Sequence, residues 1–284
     1  MEQTPTVGRF PEWIHGARDC ASCRDPLLQV HRFDPDTFIL RISKCFSFEG
    51  NFLYLLFGQE RAILFDTGGP ADPECPVKVL PLRETIDAIA AQWLAERGRS
   101  EIDLVVAHTH GHEDHIFWDS QFAGRPRTTV VEPELEVVQR FFGLPDWPAG
   151  EAQFELGDRS LTLIPTPGHE KAHLAIYDRR CQVLLTGDLL YPGLLTVRSW
   201  PDFRASAARL AAFALTHEIA LVLGNHIEMK KSPGDYYELP CRYQPQEHSL
   251  ELGPAHLLEL HAACEAMAAS PHREVRAEFV IELL

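Results

Sequence analysis

The sequence predicts an α/β (α+β) protein in which two β-sheets pack together and helices cover their outer faces. Three observations favour this fold class. Short apolar runs of strand length recur along the chain, segments with helical periodicity lie between the later runs, and the first strands follow one another without a helix. A run of consecutive strands followed by alternation favours two packed sheets over one doubly wound sheet.

The strands are predicted from short segments rich in aliphatic, aromatic and β-branched residues. Such segments suit a pleated surface that is buried on one or both faces. Nine of them are residues 38–42, 51–57, 62–65, 102–107, 128–131, 161–164, 173–177, 182–186 and 219–223.

Three segments are predicted to be helices. Residues 82–97 repeat apolar side chains on one face, and Gly98 follows as a stop signal. Residues 202–215 are rich in alanine with apolar anchors, and residues 247–267 repeat leucine and alanine at helical spacing. These helices are expected on the outside of the sheets.

The length and composition indicate one globular domain. The chain has 284 residues, of which 45% are hydrophobic and 24% charged, and this is ordinary globular composition. The length is near the upper limit for a single core, and no linker is visible. We expect one domain over 1–284, with a core at about 29–230 and a helical and loop extension at about 231–284.

The charge and hydropathy exclude several classes of partner. The formal net charge of −15 leaves little material for a basic face, so nucleic-acid binding is not expected. No apolar run approaches the roughly 20 residues that cross a bilayer, so no membrane partner is expected. Residues 1–9 lack a basic segment followed by an apolar one, which argues against a secretory signal. We expect a cytoplasmic protein with a small-molecule substrate; the oligomeric state is open, and a homodimer is compatible with the sequence.

The seven cysteines are few and scattered. An odd number in a chain of this length predicts reduced thiols rather than a disulfide framework. Cys20 and Cys23 form one Cys-x-x-Cys motif without a second pair nearby. A structural role for this pair is favoured over redox or metal chemistry.

A histidine cluster is the clearest chemical signal. Of 14 histidines, His108, His110, His112 and His115 fall within eight residues, directly after the apolar strand 102–107. His110 and His112 lie two positions apart, so in an extended turn both rings reach the same side. Asp114 and His115 follow at an offset that suits a second ion. Imidazole and carboxylate are ligands that zinc accepts together, so the cluster predicts a metal site rather than a solvated loop.

Three more metal-capable residues follow later strands. They are His169 after a Pro-Thr-Pro-Gly turn, Asp188 after residues 182–186, and His226 after residues 219–223. Each alone has a simple structural explanation; for example, Asp188 could cap a helix. Together they are expected to join the cluster, because loops at strand ends commonly build sites.

The sequence His110-x-His112-x-Asp114-His115 resembles the signature of the metallo-β-lactamase-fold hydrolases. Other motifs of that family are matched in order by Asp66, His169, Asp188 and His226, and the resemblance spans about 38–227. The resemblance implies a four-layer αββα metallo-β-lactamase sandwich. It also implies a dinuclear metal site at one edge of the two sheets.

The resemblance implies a role for each residue. His110, His112 and His169 would hold one ion, Asp114, His115 and His226 a second ion, and Asp188 both. Asp66 would orient a ligand imidazole, His108 would support or pack against the site, and His173 would contact substrate or the ligands. Two divalent ions are expected, with zinc favoured and manganese or iron also accepted by these ligands.

The implied activity is hydrolysis of an ester, thioester or lactone of a small molecule. A hydroxide bridging the metals would attack the carbonyl, and Asp114 would orient it or carry its proton. Two branches of the family fit equally. Glyoxalase II enzymes hydrolyse glutathione thioesters and have a C-terminal extension, whereas lactonases place a tyrosine three residues after the bridging Asp, as Tyr191 stands here.

Other functions remain open at this level. One is a sulfur dioxygenase with a single iron, another is a metal-binding module without catalysis, and a β-lactamase is disfavoured because those enzymes lack the bridging Asp. The substrate pocket is expected between residues 189–201 and 227–245. Its predicted aromatic walls, suited to an apolar acyl or aryl group, are Tyr191, Trp200, Tyr236, Tyr237, Tyr243, Phe117 and Trp118.

Overall fold

The computed structural model describes residues 10–284, and in this part of the chain it contains two six-stranded sheets, one small sheet and five α-helices. The strands are β1 (Leu28–Asp34), β2 (Thr37–Ile42), β3 (Phe52–Phe57), β4 (Arg61–Phe65), β5 (Asp103–Ala107), β6 (Thr128–Val130), β7 (Ala152–Glu155), β8 (Ser160–Pro165), β9 (Leu174–Asp178), β10 (Val183–Gly187), β11 (Leu194–Val197), β12 (Leu221–Gly224), β13 (Glu251–Leu252), β14 (Glu274–Val275) and β15 (Val280–Leu283). The helices are α1 (Leu82–Glu96), α2 (Glu113–Ile116), α3 (Leu135–Phe142), α4 (Trp200–Thr216) and α5 (Pro254–Ala266).

Each large sheet contains both antiparallel and parallel pairs. The first has the order β1-β2-β3-β4-β5-β6, and β4, β5 and β6 run parallel. The second has the order β13-β12-β10-β9-β8-β7, and β10 and β12 run parallel. The small sheet has the order β11-β15-β14. Parallel neighbours bring their carboxyl ends to the same edge, so the loops that follow these strands lie close together.

The two large sheets face each other across an apolar interior. Side chains alternate along a strand, so Ile39 of β2 faces this interior while Phe38 and Leu40 face outward. Every residue of β2, β3, β9 and β10 is buried. Strands buried on both faces require a further layer on each side, because their outward apolar residues must also leave water.

Helices supply these outer layers. Helix α1 covers the first sheet, where Trp93 stacks on Phe57 with ring centroids 4.7 Å apart. Helices α4 and α5 cover the second sheet through residues such as Phe203 and Leu260. The molecule is therefore the predicted four-layer αββα sandwich, and the predicted α/β class is confirmed.

All nine predicted strands are present, with ends that differ by one or two residues. The helix predicted over 247–267 begins only at Pro254, so this prediction is wrong for its first seven residues, about two turns. Residues 251–252 pair with β12, and Glu247 forms a buried ion pair with Arg41. Proline is favoured in the first turn of a helix, which is consistent with the observed start.

The C-terminal extension contains strands as well as a helix. Helix α5 packs against α4, and β15 pairs in parallel with β11. Sequence reasoning missed β15 and β11 because each is only four residues long and pairs with a strand about 85 positions away. It also missed β1, β7, β13, β14, α2 and α3.

One prediction about the cysteines is wrong. Cys20 is joined to Cys45 in a disulfide, with a Cα–Cα distance of 5.1 Å, and Cys23 is a free thiol. The loop after β2 brings Cys45 to the N-terminal segment, a contact that the local spacing of Cys20 and Cys23 could not indicate. The Cys-x-x-Cys motif is thus divided between a cross-link and a thiol.

Within residues 10–284, no helix combines the length and the apolar character that crossing a bilayer requires. The prediction about a secretory signal concerns residues 1–9, which lie outside the described part of the chain.

Candidate metal centre

The metal-capable residues meet at one edge of the sandwich because the strands before them share a direction. Asp66 follows β4, and His108 follows the parallel neighbour β5. Asp188 follows β10, and His226 lies two residues beyond its parallel neighbour β12. His169 follows β8, which runs antiparallel to β9 and therefore in the same direction as β10. Five loops from two sheets thus converge.

Three ring nitrogens lie close together in a group that we call the first triad. Its members are His110, His112 and His169. Nε2 of His110 lies 2.9 Å from Nδ1 of His112, and Nε2 of His169 lies 3.2 Å and 2.9 Å from these two atoms. A proton can be shared by two nitrogens but not by three at once. A cation bound by all three nitrogens would satisfy them, since zinc–nitrogen bonds are about 2.0–2.1 Å long.

A similar group, which we call the second triad, lies beside the first. Its members are Asp114, His115 and His226. Oδ2 of Asp114 lies 3.2 Å from Nε2 of His115 and 3.4 Å from Nε2 of His226. The two imidazole nitrogens are 3.4 Å apart. Two nitrogens and a carboxylate oxygen at these distances are a donor set for a borderline divalent cation.

Asp188 lies between the two triads. Its Oδ2 is 3.5 Å from Nε2 of His169, in the first triad, and 3.5 Å from Nε2 of both His115 and His226, in the second. Its other oxygen, Oδ1, is buried without a hydrogen-bond partner. A buried carboxylate oxygen of this kind is costly unless a cation or donor satisfies it. The residues present therefore fit a pair of metal ions with Asp188 between them.

Asp66 organises the loop that carries the histidines. Its carboxylate accepts hydrogen bonds from the backbone N–H and the hydroxyl of Thr109, at 2.8 Å and 2.9 Å, and from Nδ2 of Asn225 at 2.8 Å. Oδ2 also lies 3.2 Å from Nδ1 of His115. This contact turns Nε2 of His115 toward the second triad. Such contacts orient a ligand ring and select its tautomer.

Two further histidines near the triads, His108 and His173, belong to neither of them. Nε2 of His108 is 3.0 Å from Oδ2 of Asp119, away from the triads. His173 is fully buried, and its Nε2 accepts the backbone N–H of Asp188 at 3.0 Å. His173 therefore contacts a candidate ligand through the main chain of Asp188.

Burial and charge set different protonation preferences in the two triads. Burial, together with the neighbouring histidines, lowers the pKa of His110 and takes the pKa of His112 to about 4. Burial also disfavours the charged forms of His115 and His226, but Asp114 and Asp188 outweigh it and raise both pKa values. The first triad is thus neutral near pH 7, as imidazole ligands must be.

The structure adds supporting groups that sequence reasoning missed. Nδ1 of His169 lies 2.8 Å from the carbonyl of Thr196, and Nδ1 of His226 lies 3.2 Å from the carbonyl of Glu49. Nδ2 of Asn51 donates to Oδ2 of Asp114 at 3.1 Å. The two backbone carbonyls could not be identified from the sequence, because any residue type supplies one. Asn51, a polar residue at the start of an apolar strand, was the one sequence sign of a supporting group.

The aromatic residues predicted to line the pocket differ in their contacts. The hydroxyl of Tyr191 donates to the carbonyl of Leu194 at 2.6 Å, although its ring centroid lies 5.5 Å from that of His226. The hydroxyl of Tyr237 accepts the N–H of Gln246, and Tyr236 accepts from Arg273. The hydroxyl of Tyr191 is thus used as a donor within the fold, whereas those of Tyr236 and Tyr237 accept hydrogen bonds from other residues of the chain.

The other predicted wall residues also differ in exposure. Trp118 is buried and donates to the carbonyl of Gly69, whereas Phe117 is 40% exposed directly after α2. Trp200 is half-buried at the start of α4 beside Phe203, and the ring of Tyr243 lies under the guanidinium of Arg18. Among the aromatic residues predicted to line the pocket, Phe117 is therefore the one that closely follows the histidine loop, residues 108–115, and has a large exposed surface.

Comparison with known proteins agrees with this geometry. Residues 48–224 match the family model described as the metallo-beta-lactamase superfamily. The chain is 24% identical over 179 residues to the human acyl-coenzyme A thioesterase MBLAC2, covering 50% of this chain and 59% of that protein. It is 26% identical over 155 residues to a hydroxyacylglutathione hydrolase from a Synechococcus strain, covering 54% of each. The chain thus spans little more than half the length of these relatives.

Solved structures show the same fold at low sequence identity. A metallo-beta-lactamase from Pontibacter korlensis aligns with a TM-score of 0.52 at 17% identity, over 84% of this chain and 99% of that one. The DIM-1 metallo-beta-lactamase aligns with a TM-score of 0.51 at 14% identity, over 85% and 98%. The family model covers well over half of the chain, and the protein is a member of the metallo-β-lactamase superfamily.

Proposed function

We propose that the protein is a dinuclear metal-dependent hydrolase that cleaves a thioester of a small molecule. The observation that carries this proposal is Oδ2 of Asp188, which lies 3.5 Å from ring nitrogens of both triads. A single buried oxygen between two complete donor sets supports two cations acting together. A mononuclear iron site, as in a sulfur dioxygenase, would leave one of the two donor sets without a metal ion.

The first triad would hold one ion, the second triad the other, and Asp188 both. Mixed imidazole and carboxylate ligands favour zinc, and they also accept manganese or iron. When bound, such a pair lowers the pKa of a water molecule and polarises a carbonyl oxygen. The contribution of the chain is to hold the ligands, orient the substrate and move protons.

Asp114 is the residue best suited to handle a proton. Burial opposes its charge, but His115 and His226 hold its pKa well below the usual range, so it is a carboxylate near neutral pH. Asn51 fixes its Oδ2 by a hydrogen bond of 3.1 Å. A carboxylate held at a reaction centre can orient a water molecule or accept its proton.

A thioester is favoured over a lactone for two reasons. The lactonase likeness depends on Tyr191, whose hydroxyl already donates to the carbonyl of Leu194. The relatives described above include an acyl-coenzyme A thioesterase and a hydroxyacylglutathione hydrolase. Exposed Phe117 offers an apolar surface for an acyl group beside the histidine loop.

The test combines metal analysis with a substrate screen. We expect two metal equivalents per chain and turnover of an acyl-coenzyme A or S-acylglutathione well above that of a lactone, an aryl ester or a β-lactam. In Asp188→Asn we expect the loss of one equivalent and a fall in turnover of at least about 100-fold, because the negative charge between the triads is lost and an NH2 group, which cannot ligate a cation, replaces one carboxylate oxygen.

Asp103→Asn is the matched control, since Asp103 is an exposed carboxylate at the other end of β5 that pairs with Arg127. It should keep both metals and full turnover. One iron per chain with consumption of oxygen would contradict the hydrolase, and turnover of lactones alone would contradict the thioester.

A further inference from the structure

The loop between β2 and β3, residues 43–51, supports the second triad at two points. We call it the support loop. The carbonyl of Glu49 lies 3.2 Å from Nδ1 of His226, and because a carbonyl can only accept, Nδ1 must carry the proton. Asn51 donates to Oδ2 of Asp114 at 3.1 Å. Both contacts leave the ligand atoms turned toward the triad.

Lys44 lies inside the support loop. It is fully buried, and Nζ donates to the carbonyls of Phe48 at 3.1 Å and Glu49 at 3.4 Å. Among the described residues, no ion pair joins Lys44 to an acidic side chain. An ammonium group without a paired carboxylate is costly to bury, and burial lowers the pKa of Lys44 accordingly. The charges of Glu247, Glu228 and Glu49 offset part of this cost from a distance, and the loop carbonyls are the groups that accept hydrogen bonds from Nζ.

The Lys44 side chain has little room to take another position. A Cβ added to Gly50 would lie 2.7 Å from Cγ of Lys44, and one added to Gly16 would lie 3.1 Å from its Cβ. Gly50 has a φ of +58°, a conformation that favours glycine. The backbone at Gly50 of the support loop and at Gly16 of the N-terminal segment therefore passes close to the lysine.

The first triad is supported by other parts of the chain. Thr196 of β11 holds His169, and the hydroxyl of Thr109 lies 3.2 Å from Nδ1 of His110. Neither contact involves residues 43–51. A change in the support loop should thus act on one half of the metal centre.

We infer that Lys44 is a positioning residue for the second triad, which holds the Glu49 carbonyl where it fixes the ring of His226. The carbonyl oxygen has two lone pairs and accepts from both Nζ of Lys44 and Nδ1 of His226. With Nδ1 protonated and held, Nε2 presents its lone pair toward Asp114 and His115, the arrangement that ligation requires. This role rests on the proposed two-metal function, but it concerns metal binding and not the choice of substrate.

The direct test is stepwise metal binding by Lys44→Met, which removes the donor and retains most of the side-chain volume. Metal-free protein is titrated with Co²⁺ or Zn²⁺ in competition with a chromophoric chelator. We expect the second equivalent to bind about 10–100-fold more weakly, as when other supports of metal ligands are removed, and the first equivalent to change by less than about twofold.

A spectroscopic signal separates positioning from general destabilisation. In the Co²⁺-loaded protein, each exchangeable ring N–H of a ligating histidine gives a paramagnetically shifted proton resonance. We expect the resonance of the His226 Nδ1–H to be lost or broadened by faster exchange in Lys44→Met. The resonance of His169, which is held by Thr196, should remain.

Two further variants test the role of Lys44. Gly50→Ala keeps the charge of Lys44 but presses on its Cγ and strains the support loop at a positive φ, so it should also weaken the second equivalent selectively, even if Lys44→Met does not fold. Arg159→Met is the control, because Arg159 is also a buried cation but binds Asp178 and Thr37 at the opposite edge of the sandwich. It should lower stability and keep both equivalents.

Equal weakening of both equivalents, or none, in Lys44→Met and Gly50→Ala would overturn the role of Lys44. Neither result would bear on thioester hydrolysis, which is measured separately. Conversely, a selective loss of the second equivalent in a protein that hydrolyses no thioester would support Lys44 and contradict the proposed substrate.

Discussion

The backbone N–H of Asp188 donates to Nε2 of His173 across 3.0 Å. Nδ1 of the same ring lies 2.8 Å from the hydroxyl of Thr166, which can accept its proton. Gly187 makes the approach possible, since a Cβ there would lie 2.5 Å from Nε2 of His173 and its φ is +52°. His173 thus holds the main chain of Asp188, the residue between the two triads, from outside both triads.

We expect His173→Ala to weaken metal binding. The variant leaves the N–H of Asp188 without its partner and opens space behind the carboxylate. The affinity for metal should fall about 10–100-fold, with a matching loss of the proposed hydrolase activity, as measured by chelator competition and turnover. His272→Ala, at an exposed histidine, is the control. Unchanged metal affinity in His173→Ala would contradict this role.

The same histidine predicts a pH dependence of stability. Burial, with a smaller contribution from His169, lowers the pKa of His173 to about 3. The unfolded chain binds this proton below about pH 6.5, whereas the folded protein does not until near pH 3, so the metal-free protein loses stability as pH falls through that window.

For one such group, the loss between pH 6.5 and pH 5 is about 2 kcal/mol, at about 1.4 kcal/mol per pH unit. The measurement is urea unfolding of metal-free wild type and His173→Ala at pH 7.5 and 5.0. Protons taken up by the other histidines contribute to both proteins and cancel in the comparison. We expect a smaller loss in the variant, and equal losses would contradict the assignment.

The histidine loop at residues 108–115 could be predicted as a candidate metal site because its metal-capable residues are close together in the sequence. Residues 102–107 predict a buried strand, and His110 to His115 follow it directly, so the strand direction alone brings their side chains to one edge. His169, Asp188 and His226 were predictable for the same reason, since each follows an apolar run. The resemblance to a known family ordered them into two donor sets.

What could not be predicted depends on distant contacts. Tyr191 was predicted to line or act in the substrate pocket, and nothing in the sequence indicated that its hydroxyl donates to the carbonyl of Leu194 where the chain enters β11. That strand exists through pairing with β15, about 85 residues later. The carbonyl of Glu49 and the buried Lys44 act through backbone positions, and no spacing rule identifies them.

Arg198 is predicted to recognise the anionic part of a thioester substrate. Its side chain is exposed and lies close enough to His112 to contribute to lowering the pKa of that ring, after the larger effects of burial and His169. Within the described chain, its guanidinium forms no hydrogen bond or ion pair, so it is available to a carboxylate or phosphate.

We expect Arg198→Ala to raise KM for an acyl-coenzyme A by about 5–10-fold, roughly 1–1.4 kcal/mol, and to leave kcat nearly unchanged, because the contact is made equally in the bound and reacting states. A neutral thioester that lacks phosphate should show little change. Arg179→Ala, at an exposed arginine between β9 and β10 on the opposite edge, is the control. Equal effects on the charged and the neutral thioester would contradict anion recognition.

The disulfide predicts different consequences for two neighbouring cysteines. Cys20 is cross-linked to Cys45 over a separation of 25 residues, and Cys23 is a free thiol three residues later. A cross-link of this length restricts the unfolded chain and contributes about 3 kcal/mol to stability. Cys20→Ser should therefore lower the free energy of unfolding by about 2–4 kcal/mol under oxidising conditions, whereas Cys23→Ser should change it by less than about 0.5 kcal/mol.

Reduction provides the matching measurement on the unmodified protein. Urea unfolding with and without a dithiol reductant should reproduce the difference between wild type and Cys20→Ser, and Cys20→Ser itself should be insensitive to the reductant. Equal stability of the two serine variants would mean that Cys20 and Cys45 are not joined in solution. Because Cys45 adjoins Lys44, a parallel metal titration shows whether the cross-link also supports the second triad or only the N-terminal segment.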